Sequence, residues 1–241
     1  MVGKGSKGVA FRIYIYIYMM FSSRHFTRPN TRTPRSIIMF KAHLISLLGV
    51  CCLTHAQVSN DGLGVPPAQA ACLELQTRYP AATHFSNTSF YTQDNTDFWS
   101  QASALGPACI FAPSLAEELG EAVTILKALR SPFAMRGGGH MPIGDFNNID
   151  SGGVLLSSSG FKRLEMAADG ESVHVGPSNH WADVYQFLEP HGKVVVGGRL
   201  GVVGIPGFVT GGGASFFSAE HGWASNNLKS YTVSSPRSNV E

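Results

Sequence analysis

From Ala108 to Val233 short apolar runs alternate with polar, glycine- or proline-bearing joints, and each run has a recognisable period. Cys109-Ile-Phe-Ala, Phe133-Ala-Met-Arg136, Val154–Leu156, Lys193–Val196 and Leu228–Val233 have the length and composition of strands. Phe161–Met166 and Ser172–Val175 flank Asp169-Gly170, a turn pair that predicts a hairpin. Helical spacing puts Leu115, Leu119, Ala122, Val123 and Leu126 on one face. Ser114-Leu-Ala-Glu117 before them reads as a capping box, and Ser131-Pro132 stops the helix. Trp181–Leu188 is a second amphipathic helix and Ala70–Arg78 a third; the rest of 69–106 gives weak patterns and reads as aromatic loop material. Strands and helices alternate without a strict βαβ rhythm, which predicts an α+β domain of two small lobes.

Charge is unevenly spread. Residues 1–57 carry eight Lys/Arg and no acid, whereas residues 58–241 carry ten basic and sixteen acidic side chains, a balance of −6. That body favours neither nucleic acid nor an anionic membrane as partner. Met39 to Gln57 reads as a secretory signal: Lys41 and His43, an apolar stretch from Leu44 to Leu53, and a small-residue site at Thr54-His55-Ala56. The stretch is too short to anchor the chain across a membrane, so a secreted protein is expected. Residues 1–38 fit no targeting scheme. Ile13 to Tyr18 alternates with a period of two, as a strand does, but an ATA/TAT repeat would encode the same hexapeptide, and the expectation is a non-native extension ahead of Met39. Signal removal would take Cys51 and Cys52 and leave Cys72 and Cys109 as one even pair, expected to form a disulfide. Asn87-Thr88-Ser89 is a glycosylation acceptor triplet that agrees with export.

The chemistry concentrates in two glycine-rich segments, Arg136-Gly137-Gly138-Gly139-His140 and Gly201-Val-Val-Gly204-Ile-Pro-Gly207-Phe-Val-Thr-Gly211-Gly212-Gly213. Clustered glycines let backbone N–H groups converge on one anion, and two such segments suggest a long phosphate-bearing cofactor. The P-loop, the strand–GxGxxG–helix unit and the GxSxG nucleophile elbow are all missing. His174, His180 and His191 lack metal-ligand spacing and read as structural, so no metal site is expected.

Residues from about Ala108 to Val233 resemble the FAD-binding domain of the vanillyl-alcohol oxidase / p-cresol methylhydroxylase (PCMH) superfamily, in particular its fungal berberine-bridge-enzyme-like oxidases. The resemblance rests on Pro132-Phe-Ala-Met-Arg136-Gly-Gly-Gly-His140, Gly152-Gly153-Val-Leu, Trp181-Ala-Asp-Val-Tyr185, Gly197-Gly198-Arg199-Leu-Gly201, Gly211-Gly-Gly-Ala-Ser-Phe216 and His221-Gly-Trp-Ala-Ser-Asn-Asn227, in that order. It implies a two-lobed PCMH-type FAD-binding domain over 104–241, following a leader and helix region over 58–103. It implies FAD lying along Gly137, Gly138 and Gly139, with Arg136, Gly201, Gly204, Gly207, Gly211, Gly212 and Asn227 as further contacts. His140 would be the covalent attachment site, the alternative being a loop histidine beside non-covalent FAD. The position where some members hold FAD by a second bond, to cysteine, is Leu200, so one attachment is expected. Pro206 stands where the family usually has glycine. After Val233 the chain turns polar and proline-broken, and the resemblance implies an incomplete domain with the substrate domain and catalytic base missing. The function implied is an oxidoreductase taking a hydride from an alcohol, sugar or amine carbon of a small molecule, with oxygen as acceptor. A non-catalytic FAD-binding fragment and a secreted binding module without flavin are the alternatives.

Overall fold

The computed structural model describes residues 64–234 and the backbone of residues 12–15. The expected signal, the remainder of the expected extension, and the polar tail after Ser234 lie outside the described residues. In chain order the elements are β1 (Arg12–Ile15), α1 (Pro67–Arg78), β2 (Thr83–His84), α2 (Ser89–Thr96), β3 (Cys109–Phe111), α3 (Ala116–Ala128), β4 (Phe133–Arg136) and β5 (Val154–Ser157). They continue with β6 (Leu164–Met166), β7 (Ser172–Val175), α4 (Trp181–Leu188), α5 (Ile205–Thr210), α6 (Ser218–His221) and β8 (Leu228–Tyr231).

Two four-stranded sheets organise them, in the orders β2-β3-β5-β4 and β6-β7-β1-β8. In the first, β3 and β4 both run parallel to β5, while β2 is antiparallel to β3. The pleat sends alternate side chains to opposite faces. Cys109, Phe111, Val154 and Leu156 pack with Cys72, Leu75, Leu119 and Leu126 of α1 and α3. Ile110 and Leu155 go to the other face and meet Tyr91 and Phe98. On β4 the same alternation sends Phe133 and Met135 to the α1/α3 side. Arg136 is thereby turned toward α2, a placement that governs the site below.

In the second lobe the stripe Trp181, Val184 and Leu188 of α4 packs on Val173 and Val175 of β7, and all five are fully buried. The β6–β7 hairpin forms as expected, with Gly170 at φ +64° in its turn.

Cys72 and Cys109 form the expected disulfide, tying α1 to β3 across a sequence separation of 37. Closing a loop of that size stabilises the fold by about 3–4 kcal/mol in the chain-entropy model. Replacing both cysteines with alanine is expected to lower the unfolding free energy by about that amount, read as a fall in the urea midpoint.

Several elements depart from the sequence reading. Lys193–Val196 is not a strand; only Val195 makes an isolated bridge, and Val195 and Val196 are buried in the second core. The helix-capping glutamate is Glu118, whose carboxylate accepts from the backbone N–H of Ser114 and Leu115 at 3.0 and 3.2 Å. α3 therefore starts at Ala116, and Leu115, expected on its buried face, is 57% exposed. Phe161 precedes the hairpin strand and is buried in the first core instead. β8 ends at Tyr231 rather than Val233. Residues 89–96, read as loop, form α2, whose start is capped by the Thr88 hydroxyl accepting from Tyr91 N–H at 3.2 Å.

Candidate functional site

The parallel strand β4 ends in the first glycine turn, beside the end of β5, so the turn emerges from a sheet edge buried on one face and partly buried on the other. Its three carbonyls are all held by protein donors. Ser158 Oγ donates to Gly137 O at 3.2 Å, His180 Nε2 lies 3.1 Å from Gly138 O, and Trp99 N–H donates to Gly139 O at 3.1 Å. A carbonyl only accepts, so in this contact His180 donates through Nε2. With the carbonyls drawn back, no acceptor among the described residues meets the N–H groups of Gly138, Gly139 or His140. Gly139 sits at φ +66°, the left-handed conformation that turns successive N–H groups to one side. The result is a run of three backbone donors without partners among the described residues, as an anion-binding turn requires.

The second segment meets the first at one point. A Cβ on Gly138 would lie 2.3 Å from Gly204 Cα, and a Cβ on Gly204 would lie 2.4 Å from Gly138 Cα. The two backbones touch, and only glycine fits on either side. Beyond that contact the segment is not one long turn. Ile205–Thr210 forms α5, with Pro206 in its first turn, where the missing N–H would have no helical partner in any case. The departure from the family's glycine at position 206 is thereby accommodated.

A cleft of about 530 Å³ opens over this junction, with Gly137, Gly138, Gly139, His140, Gly204 and Gly207 along it, together with Met141, Asn147 and Phe208. A polar cleft of about 320 Å³ shares Gly137 and Gly138 and includes Arg136, Lys162, Asn179 and His180. His140 is partly buried, its ring 5.3 Å from that of Trp99, and its Nδ1 is buried with no hydrogen-bond partner. An unsatisfied buried ring nitrogen costs free energy unless a ligand engages it.

The other residues assigned to the cofactor are placed differently. Arg136 is 3% exposed and its guanidinium is spent inward, on the Asp94 carboxylate, the backbone carbonyls of Asp94 and Asp97, and Ser157 Oγ. Gly201 packs against Ala182 of α4, Gly211 closes α5, and Gly212 faces Trp223. Asn227 donates its amide to the carbonyls of His221 and Trp223, both at 2.9 Å. Leu200 is 61% exposed. Sequence reasoning missed Ser158 and Trp99, which carry no motif. It read His180 as structural, and His180 does brace the turn. Tyr185 Oη donates to Gly198 O at 2.6 Å, and burial pushes this phenol up to about 12. Among the described residues no group of three His, Cys, Asp or Glu side chains is arranged to hold a metal, and no helix is long and apolar enough to cross a membrane.

Comparison with known proteins gives this geometry a context. Residues 107–240 match the model of the FAD binding domain. The chain is 40% identical over 164 residues to FAD-dependent monooxygenase prx3 of Penicillium roqueforti, covering 68% of this chain and 32% of that protein. Identity and coverage are the same against the bifunctional solanapyrone synthase of Alternaria solani. The fold is similar to that of wild-type BBE-like 1 of Physcomitrella patens, with a TM-score of 0.60 at 24% identity, covering 70% of this chain and 37% of that one. The chain thus spans about a third of the length of the curated relatives it matches.

Proposed function

Because this chain belongs to the PCMH-type FAD-binding domain family, we propose that it is the cofactor-binding portion of a secreted FAD-linked oxidoreductase, with the pyrophosphate on the turn Gly137 to Gly139 and the flavin joined to His140. One observation carries the reading: all three carbonyls of the turn are tied to protein donors, while the N–H groups of Gly138, Gly139 and His140 have no acceptor among the described residues. The residues present fit such a group. The donors suit an anionic pyrophosphate, and the buried, unpaired Nδ1 of His140 offers a ring nitrogen for attachment. When bound, the flavin supplies two-electron acceptor chemistry, with hydride from an alcohol, sugar or amine carbon and oxygen as terminal acceptor.

This chain's residues contribute binding and orientation. Ser158, His180 and Trp99 hold the turn open, the Gly138–Gly204 contact fixes the second segment against it, and the Arg136–Asp94 pair anchors the end of β4. Export is supported by the disulfide and by the exposed acceptor triplet at Asn87.

Acid precipitation of the chain produced with FAD tests the assignment. The flavin is expected to remain with the pellet, and His140→Ala is expected to release essentially all of it, because no cysteine at position 200 provides a second bond. Flavin still acid-stable in the His140→Ala protein would overturn the attachment site. Flavin lost to acid from the unaltered protein would show non-covalent binding.

A further inference from the structure

We infer that Asn147 is a further cofactor-positioning residue, whose side-chain carbonyl accepts a hydrogen bond from a hydroxyl on the ribityl arm of the flavin. The assignment rests on the flavin reading above and adds to it a residue that no glycine pattern marks. Asn147 lines the cleft over the glycine junction and is 8% exposed. Its Nδ2 donates to Met141 O at 3.4 Å, a contact that fixes the orientation of the amide, because the side-chain oxygen cannot donate to a carbonyl. Oδ1 is thereby set on the other side of the amide, buried and with no hydrogen-bond partner among the described residues. His140, at the start of the same loop, lines the same cleft and carries the unpartnered Nδ1.

Asn148 shows that this loop can satisfy an asparagine. It is fully buried, its Nδ2 donates to Ser103 O at 2.7 Å and Asn95 Oδ1 at 3.2 Å, and its Oδ1 accepts from Ile149 N–H at 2.8 Å. Those bonds pin the chain beside Asn147. Ser103 Oγ, donating to Met141 O at 3.4 Å, holds the carbonyl that orients the Asn147 amide. Gly144 is fitted against Ala102 O, which an added Cβ would approach to 2.9 Å. The amide is therefore held in place by the protein itself, and a buried carbonyl without a donor carries a cost that a ligand donor relieves. The chemistry of the ligand selects that donor. An ionised pyrophosphate offers no hydrogen, and neither does the dimethylbenzene edge of the flavin, where a bond to His140 forms; the ring N3–H lies at the opposite end. The ribityl arm joins the pyrophosphate to the ring and carries hydroxyls along its length. With the pyrophosphate on Gly137 to Gly139 and the ring at His140, that arm is the part of the cofactor that brings donors to Asn147.

The His140→Ala protein, in which binding is reversible, supplies the test through quenching of flavin fluorescence. Its Kd for FAD is expected to rise about tenfold when Asn147→Leu is added, the effect of one lost hydrogen bond to a buried acceptor. Analogues of FAD that each lack one ribityl hydroxyl identify the partner. One of them is expected to bind the His140→Ala protein about tenfold more weakly than FAD does, yet to lose nothing further on Asn147→Leu. A purely structural role for Asn147 would weaken FAD and every analogue alike, and that outcome would overturn the assignment. Asn147→Ala carries the same comparison where the leucine variant does not fold. Equal affinity of the His140→Ala protein for FAD and all the analogues would overturn the assignment without recourse to any variant at 147. Where His140→Ala holds no flavin, the rate of acid-stable incorporation of FAD and its analogues into the unaltered protein decides in the same way. FAD bound by neither protein would overturn the flavin reading itself, and this assignment with it.

Discussion

Gly138→Ala is expected to lower the unfolding free energy by about 3 kcal/mol, at the upper end of overpacking costs, and to abolish flavin retention. The added methyl would lie 2.3 Å from Gly204 Cα and 2.8 Å from Gly204 N, which are backbone atoms with no rotamer through which to yield. Gly138 is not among the glycines at positive φ, so the penalty is one of space rather than of conformation. Gly204→Ala is expected to have the same effect, since its methyl would meet Gly138 Cα at 2.4 Å. Either change forces the same separation of the two segments, so the double substitution is expected to cost little more than one. Gly207→Ala supplies the contrast. It lies inside α5, lines the same cleft, and has nothing within 4 Å of its added Cβ. Alanine there is expected to stabilise the helix by roughly 0.5–1 kcal/mol. Urea midpoints of the four proteins check the series; additive losses at 138 and 204 would show that the two glycines act through separate contacts.

The sequence displayed the turn itself but not what holds it. Arg136 to His140 stands out because glycines cluster at a strand end, and local composition is enough to find it. Its supports come from far along the chain: His180 is 42 residues from Gly138, and Ser158 is 21 from Gly137. No local pattern marks a serine or tryptophan whose task is to draw back a distant carbonyl. α2 was hidden for another reason. Its residues Ser-Phe-Tyr-Thr-Gln-Asp-Asn-Thr are poor helix formers, and only Tyr91 and Asp94 are buried, so no apolar stripe announces it. The valine run at 194–196 misled in the opposite direction. β-branched residues favour strands, but here two of them fill a core against α4, and the run makes at most a single bridge at Val195. β3, β4 and β5 of the first sheet were legible because each is a short apolar run bounded by turns, whereas β2, only Thr83-His84, offers no run to read.

The inward turn of Arg136 leads to the last expectation, that Arg136→Met and Asp94→Asn each cost about 3–5 kcal/mol, the range for breaking a buried ion pair from one side. Asp94 is 5% exposed, the guanidinium meets its Oδ1, and its Oδ2 is buried without a hydrogen-bond partner among the described residues, so losing the guanidinium strands a carboxylate away from water. Losing the carboxylate instead leaves a buried cation held only by carbonyls, Ser157 Oγ and the face of Phe98, 5.0 Å below it. Arg136→Lys is not conservative here, because one ammonium cannot reproduce the planar fork that spans α2, the Asp97 carbonyl and β5. The double Arg136→Met/Asp94→Leu removes both charges and is expected to recover much of the loss, since replacing a buried pair with apolar groups is often close to neutral. The consequence for function follows from the chain between the two residues. Arg136 fixes the Asp94–Asp97 stretch, two residues beyond which the Trp99 N–H holds Gly139 O. Releasing that stretch frees the carbonyl and lets the turn collapse onto its own N–H groups. Flavin retention is therefore expected to fall with both single substitutions and to return in part with the double. A double as unstable as the singles would show that the guanidinium's backbone contacts, rather than its charge partner, hold this corner together.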